Sequence, residues 1–245
     1  DCEEVAGIPI CYDEREGFMH YKFLVVDGRA VWTGSTNMTW NAFARNNENS
    51  LLLPSPTLAQ GYAREFEALF GGQKEGLGQP VAFALEAVEG VAYFSPRGGR
   101  LAREALLKRL SEAQREVLVA AFVLTARELV EALKEAHGRG LSVRILLERR
   151  NLGDSREEDL LRAGVPVRQD ATPYTMHHKV MVLDGTYVVT GLAAGTQYSY
   201  AVFTRDTTGN TSAGAPATGA TATPPPPDTT PPGVVNVVAG SGRTV

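Results

Sequence analysis

Two stretches decide how this chain is read: His20-Tyr21-Lys22-Phe23-Leu24-Val25-Val26-Asp27-Gly28 and His177-His178-Lys179-Val180-Met181-Val182-Leu183-Asp184-Gly185. Each runs from a histidine through an apolar segment to Asp-Gly, and each is followed by Thr-Gly, at Thr33-Gly34 and Thr190-Gly191. His20, Lys22, Asp27, Thr33 and Gly34 thus recur at a constant offset of 157 residues, which is the mark of an internal repeat. Short apolar runs on either side of Asp-Gly predict a β-hairpin in both places. Residues two apart on a strand share a face, so His20 projects with Lys22 and His177 with Lys179, while His178 points the other way.

Between the hairpins, strand and helix signals alternate. Residues 91–94 predict a strand, 101–110 an amphipathic helix, 117–124 a buried strand and 126–136 a second helix. A strand over 141–147, a helix over 155–162 capped by Ser155, and a strand over 165–167 follow. Alternation of this kind predicts a sheet with much parallel pairing, covered by helices. The first lobe reaches its hairpin almost at once, continues to a strand at 51–53 and a helix at 57–70, and enters a Gly-rich stretch. After Gly191 the chain alternates briefly and then becomes rich in Thr, Ala and Pro.

The chain has 245 residues, 43% hydrophobic and 21% charged, with a net charge of −4, a composition that suits a globular protein and excludes wholesale disorder or a fibrous class. The charge is uneven. Residues 1–89 hold 6 Lys and Arg against 13 Asp and Glu, whereas residues 90–192 hold 16 against 13, which is too slight an excess to mark a protein that coats nucleic acid. No apolar run suits a transmembrane span, and no signal peptide is visible. Cys2 and Cys11 could close a short loop, but their spacing leaves a bridge and a pair of free thiols equally open, and a zinc site is not expected.

His20-x-Lys22 with Asp27, followed by Gly34-Ser35 and Asn37, resembles the HxKxxxxD motif and its GSxN extension in the phospholipase D superfamily. Asn46-Asn47-Glu48-Asn49 resembles the amide and acidic segment that follows, and the likeness covers about residues 1–192. It implies an α/β fold: a mixed sheet flanked by helices, in two pseudo-repeated lobes, the first without its N-terminal part and the second without its C-terminal part. Residues from about 186 resemble the last strands of a fibronectin type III domain, and Asp228-Thr229-Thr230-Pro231-Pro232 resembles the opening of another. The domain plan is therefore 1–75 for the end of the first lobe, 76–89 for a linker, and 90–191 for the second lobe. Partial fibronectin strands would occupy 192–210, a Pro/Thr/Ala-rich linker 211–232, and the start of a second fibronectin domain 233–245.

The resemblance implies metal-independent phosphodiester hydrolysis through a phosphohistidine, with no cofactor. His20 and His177 would serve as nucleophile and general acid, Lys22 and Lys179 would hold the phosphate oxygens, and Ser35 and Asn37 would add hydrogen bonds. Glu48 would orient His20, while Asp27 and Asp184 would support the hairpins. The matching positions in the second copy are Leu192, Ala194 and Arg205, so its polar supports are missing and impaired activity is expected. The substrate could be nucleic acid or a phospholipid headgroup; the compact lobes look more like exported bacterial nuclease-type members than large lipases. A homodimer could restore two intact half-sites. The alternative is a catalytically inactive chimera with a fibronectin-like spacer, and both readings expect an extracellular or cell-surface location. Trp40 and Phe43 could line a substrate groove but are expected in the core, and His137 is expected as a helix-terminus residue.

Overall fold

The computed structural model describes residues 2–13, 17–85, 88–185, 187–190 and 202–206. Two hairpins organise it. β3 (Phe23–Val26) pairs antiparallel with β4 (Ala30–Gly34), and β11 (Lys179–Leu183) with β12 (Tyr187–Thr190). Both turns place Asp and Gly in the left-handed region, Asp27 and Gly28 at φ 50° and 63°, Asp184 and Gly185 at 55° and 69°. That is the conformation a two-residue turn needs to match strand twist, and Asp-Gly adopts it at low cost.

The second lobe is built around β11. Its sheet runs β10 (Val167–Gln169), β9 (Ser142–Leu147), β8 (Glu116–Ala121), β11, β12; the first three are parallel and β11 is antiparallel to β8. α3 (Gly99–Glu112) and α4 (Arg127–Gly138) cover one face. Leu106, Leu110, Val130, Leu133 and Ala136 fall at helical spacing and meet Val117, Val119, Val143, Ile145, Met181 and Leu183. Met181 and Leu183 share a face with Lys179, so the core that locks β11 also fixes the direction of the lysine. α5 (Glu157–Arg162) follows a 3₁₀ turn over Arg149–Asp154.

In the first lobe β3, β4 and β5 (Ser50–Leu53) form a three-stranded sheet. α1 (Trp40–Ala44) lies between β4 and β5, and α2 (Pro56–Phe70) packs across β3 and β4. Ser55 caps α2 by accepting from Leu58 N, with Pro56 in the first turn where its missing N–H costs nothing. Leu58, Tyr62, Phe94 and Phe83 join Val31 and Leu53 in a second core. The helix comes close to β6 (Val81–Leu85): a Cβ at Gly61 would sit 2.5 Å from Val81 Cγ2.

Several expectations need correction. The 76–89 segment, read as a linker, contains β6, which pairs with β7 (Val88–Ala92); its Val-x-Phe-x-Leu alternation is a strand signal that the neighbouring glycines obscured. The buried Glu65 also anchors this segment by accepting from Leu77 N at 2.9 Å and Gly78 N at 3.1 Å. The N-cap of α5 is Arg156, because the Ser155 hydroxyl accepts from Leu124 N instead. Trp40 and Phe43 are not core: they are 76% and 49% exposed, with Phe43 stacked on Trp32. Cys2 and Cys11 form a disulfide joining β1 (Cys2–Val5) to β2 (Ile8–Cys11). Of the expected fibronectin-like tail, residues 191–201 and 207–245 lie outside the described residues. The one described part, β13 (Val202–Asp206), pairs antiparallel with β7.

Asp27 and Asp184 occupy matching turns but do different work. Asp184 accepts from Gln114 N, Arg115 N and Glu116 N at 2.9, 2.7 and 3.0 Å, tying the hairpin to the start of β8. Partial burial opposes its ionisation, but those N–H groups and Arg115 outweigh it and hold the carboxyl below its ordinary value. Asp27 is exposed. Asp184→Asn keeps the left-handed turn but loses the charge and one acceptor oxygen, and is expected to cost about 1–3 kcal/mol. Asp27→Asn should stay within about 0.5 kcal/mol. Chemical denaturation of both variants checks this, and equal effects would refute the distinction.

Candidate active site

The alternation that buries Met181 and Leu183 also carries His177 and Lys179 inward; both are buried, at 7% and 4% exposure. In the first lobe Lys22 is buried and His20 half-buried. The two histidine rings meet edge to face with centroids 6.2 Å apart. Each lysine donates to the carbonyl of its own histidine, Lys22 Nζ to His20 O at 2.8 Å and Lys179 Nζ to His177 O at 2.7 Å. An ammonium has three N–H donors, so these bonds do not exhaust either lysine.

The lobes are joined at this point. Asn47 N donates to Thr175 O at 2.9 Å and His177 N to Asn47 O at 2.8 Å, a short parallel bridge between the chain preceding β5 and the chain preceding β11. Asn49 Nδ2 donates to Thr190 Oγ1 at 2.6 Å, and Asn49 Oδ1 lies 3.3 Å from His178 Nδ1. His178, expected to point outward, therefore serves as a contact between lobes.

Glu48 requires the main correction. Its carboxylate lies 2.9 Å from Nδ1 of His177, the histidine of the other lobe, rather than orienting His20. The Glu48 side chain is only 5% exposed. Ser35 is committed to the same group: its buried hydroxyl donates to Glu48 Oε2 at 2.7 Å and accepts from Asn49 N at 2.9 Å. Asn37, just beyond it, makes no side-chain hydrogen bond among the described residues. Leu192 and Ala194 lie outside the described residues. Arg205 stands in β13, in register opposite Glu89.

The electrostatics follow from burial. Desolvation, reinforced by Lys22, Lys179 and His177, holds His20 down to about pKa 4, with Glu48 opposing. Lys22 is lowered to about 8 by burial, and Lys179 to about 7 by burial and the charge of Lys22. For Glu48, burial pushes the pKa up, but hydrogen bonds from His177 and Ser35 prevail and the carboxyl stays below its ordinary value. The site thus holds one fixed anion among groups that resist carrying positive charge until an anion arrives.

Phe122 was missed by the sequence reading. Its ring packs edge to face on His177 with centroids 4.8 Å apart, and Lys179 Nζ lies 4.9 Å from its centroid. It belongs to an apolar run with nothing to separate it from core residues. Among the described residues no cluster of His, Cys, Asp or Glu could hold a metal ion, and no helix is long and apolar enough to cross a membrane.

The family model described as the PLD-like domain of cardiolipin synthase matches residues 3–70 and 106–201, more than half of the chain. The chain belongs to the phospholipase D-like family. A mitochondrial cardiolipin hydrolase of Xenopus laevis is 45% identical over 65 residues, covering 26% of this chain and 31% of that protein. A phospholipase D of Rickettsia conorii is 32% identical over 100 residues, covering 40% of this chain and 49% of that protein. The chain therefore spans about a third to a half of the length of these phospholipase D-like relatives. The phosphatidylserine synthase of Haemophilus influenzae shares the fold, with a TM-score of 0.57 at 12% identity over 76% of this chain and 58% of that one. The expected extracellular or cell-surface location is withdrawn, because the relatives whose names give a location, those of Xenopus laevis and Homo sapiens among them, are mitochondrial.

Proposed function

We propose that this chain hydrolyses phosphodiesters without a metal, with His177 as nucleophile and His20 as general acid and base. The observation that carries the assignment is the Glu48–His177 hydrogen bond. A carboxylate on Nδ1 fixes the proton there and leaves the Nε2 lone pair free to attack phosphorus. As the bond from phosphorus to Nε2 forms, the bond to the leaving oxygen breaks and that oxygen takes a proton from His20. Neutral His20 then removes a proton from water, whose oxygen displaces His177 from phosphorus and restores both rings. A substrate phosphate offsets the charges of Lys22 and Lys179 and raises the affinity of His20 for the proton it must carry.

Lys22 and Lys179 supply charge to the phosphate oxygens, and Asn37 adds a hydrogen bond. Ser35 acts through Glu48 and is a positioning residue. Among the described residues no carboxylate is hydrogen-bonded to His20, and Arg205 stands at the sequence position that would supply one, so turnover is expected to be slow in the protonation step. The likeness of the chain from about residue 186 to the last strands of a fibronectin type III domain, and of Asp228-Thr229-Thr230-Pro231-Pro232 to the opening of another, supports reading the end of the chain as a tail outside the chemistry. A dimer that pairs two first lobes remains part of the proposal, tested by whether turnover per chain rises with protein concentration.

Hydrolysis of bis(p-nitrophenyl) phosphate in excess EDTA tests the reading. Activity that survives chelation supports it, and loss that Mg²⁺ or Zn²⁺ restores refutes it. A second test is pH. Lys179 acts while charged, so kcat/KM should fall as pH rises through about 7. Lys179→Arg, which stays charged, should move that limb up toward about 8, where Lys22 is the next group to lose its charge, even if the rate drops. An unmoved limb would remove Lys179 from the assignment.

A further inference from the structure

Phe122 directly follows β8, where its N–H donates to His178 O at 2.8 Å and its carbonyl accepts from Asn151 Nδ2 at 3.4 Å. Its backbone is thus fixed against the chain that carries His177 and Lys179. Its side chain is half-buried and belongs to neither of the two hydrophobic cores. A large apolar ring outside the cores needs another reason for its place. The groups it meets are His177, with ring centroids 4.8 Å apart, and the Lys179 ammonium, 4.9 Å from its centroid. Among the described residues no aromatic ring lies under Lys22, so the two half-sites differ at this point.

A π face attracts a cation and gives little to a neutral amine, so a ring within about 6 Å favours the charged form of a lysine. Lys179 is buried and has lost most of its water, which makes that attraction stronger than it would be at the surface. Resting on the phosphodiesterase reading, we propose that Phe122 is a positioning residue for that reaction: its face keeps the Lys179 side chain a cation for a phosphate oxygen, and its contact with the His177 ring holds ammonium and nucleophile at one spacing. The charged groups that face Lys179 are otherwise Glu48, which favours the ammonium, and Lys22, which opposes it, with His20 and His178 nearby. The ring therefore sides with Glu48. A ring that only kept water out would act in the opposite sense, since its removal would let water reach Lys179 and strengthen its hold on the proton.

Titration of Lys179 by ¹³C NMR of the lysine-labelled full chain tests the proposal, its signal being identified by its loss in Lys179→Arg. Phe122→Leu and Phe122→Met stay apolar but have no π face, and each is expected to lower the Lys179 midpoint by about one pH unit from about 7. At pH 7 the charged fraction then falls from about a half to about a tenth, so affinity for inorganic phosphate should drop about fivefold, and the gap should close below about pH 5.5. Phe122→Tyr, which keeps the ring, should restore both the midpoint and the affinity. A midpoint that stays put or rises in the Leu and Met variants would overturn the proposal, as would a phosphate affinity lost equally at every pH. Neither measurement needs turnover. A chain that shows these shifts but leaves bis(p-nitrophenyl) phosphate intact would count against the phosphodiesterase reading and leave the pairing of ring and lysine standing.

Discussion

His177→Ala is expected to abolish hydrolysis, by at least about 10⁴-fold, with every phosphodiester tested, because no other group can form the covalent intermediate. His20→Ala should behave differently. Its first task is to protonate the leaving oxygen, which p-nitrophenolate hardly needs and an alkoxide needs greatly. The loss should therefore reach about 10²- to 10⁴-fold with an alkyl phosphodiester and be clearly smaller with bis(p-nitrophenyl) phosphate. Its second task is to deprotonate water, so with the activated substrate the variant should accumulate an acid-labile, base-stable phosphohistidine. Rapid-quench labelling reads this directly. If instead His20→Ala is dead toward both substrates and His177→Ala retains the leaving-group dependence, the two roles are reversed.

Glu48→Gln carries the second large effect. The amide occupies the same space and its oxygen can still accept from Ser35 and His177, which both bond Oε2, but it turns an NH₂ toward Asn46 Nδ2 and removes the negative charge that stabilises the imidazole once it is bonded to phosphorus. By analogy with other carboxylates that fix a catalytic histidine, kcat is expected to fall by about 10³- to 10⁴-fold with little change in KM. Ser35→Ala, which removes one of the hydrogen bonds to that carboxylate, should cost about tenfold. Glu48→Asp, too short to span 2.9 Å without movement but still anionic, should recover part of the loss. Were Glu48 merely structural, Gln and Asp would track melting temperature rather than kcat, and a comparison of both quantities separates the two cases.

Much of this site was legible before any coordinates. His20 and Lys22, and His177 and Lys179, share strand faces because the side-chain period of a strand is two, and the Asp-Gly turns follow from the left-handed conformation a tight hairpin requires. The helices α3 and α4 and the strands β8 and β9 were visible in their apolar spacing, because each buries one periodic face in a single core. β6 went unread since its alternation is only five residues long and lies among glycines. Phe122 could not have been singled out, as an aromatic that packs on a histidine of the candidate site looks in sequence like any other core residue.

Sequence by itself determined which side chains make up the two motifs of the candidate site, how they are spaced and that the motif occurs twice, since these are properties of local period and residue type. Only the tertiary structure decided who partners whom. Glu48 stands 28 residues from His20 and 129 from His177, yet it bonds the distant one. The reason is the Asn47–Met176 bridge, which brings the chain before β5 alongside the chain before β11 and fixes Glu48 beneath the second histidine. Burial did the rest. Two lysines enclosed beside one carboxylate lose much of their preference for the charged state, a consequence of shared desolvation that no spacing along the chain encodes.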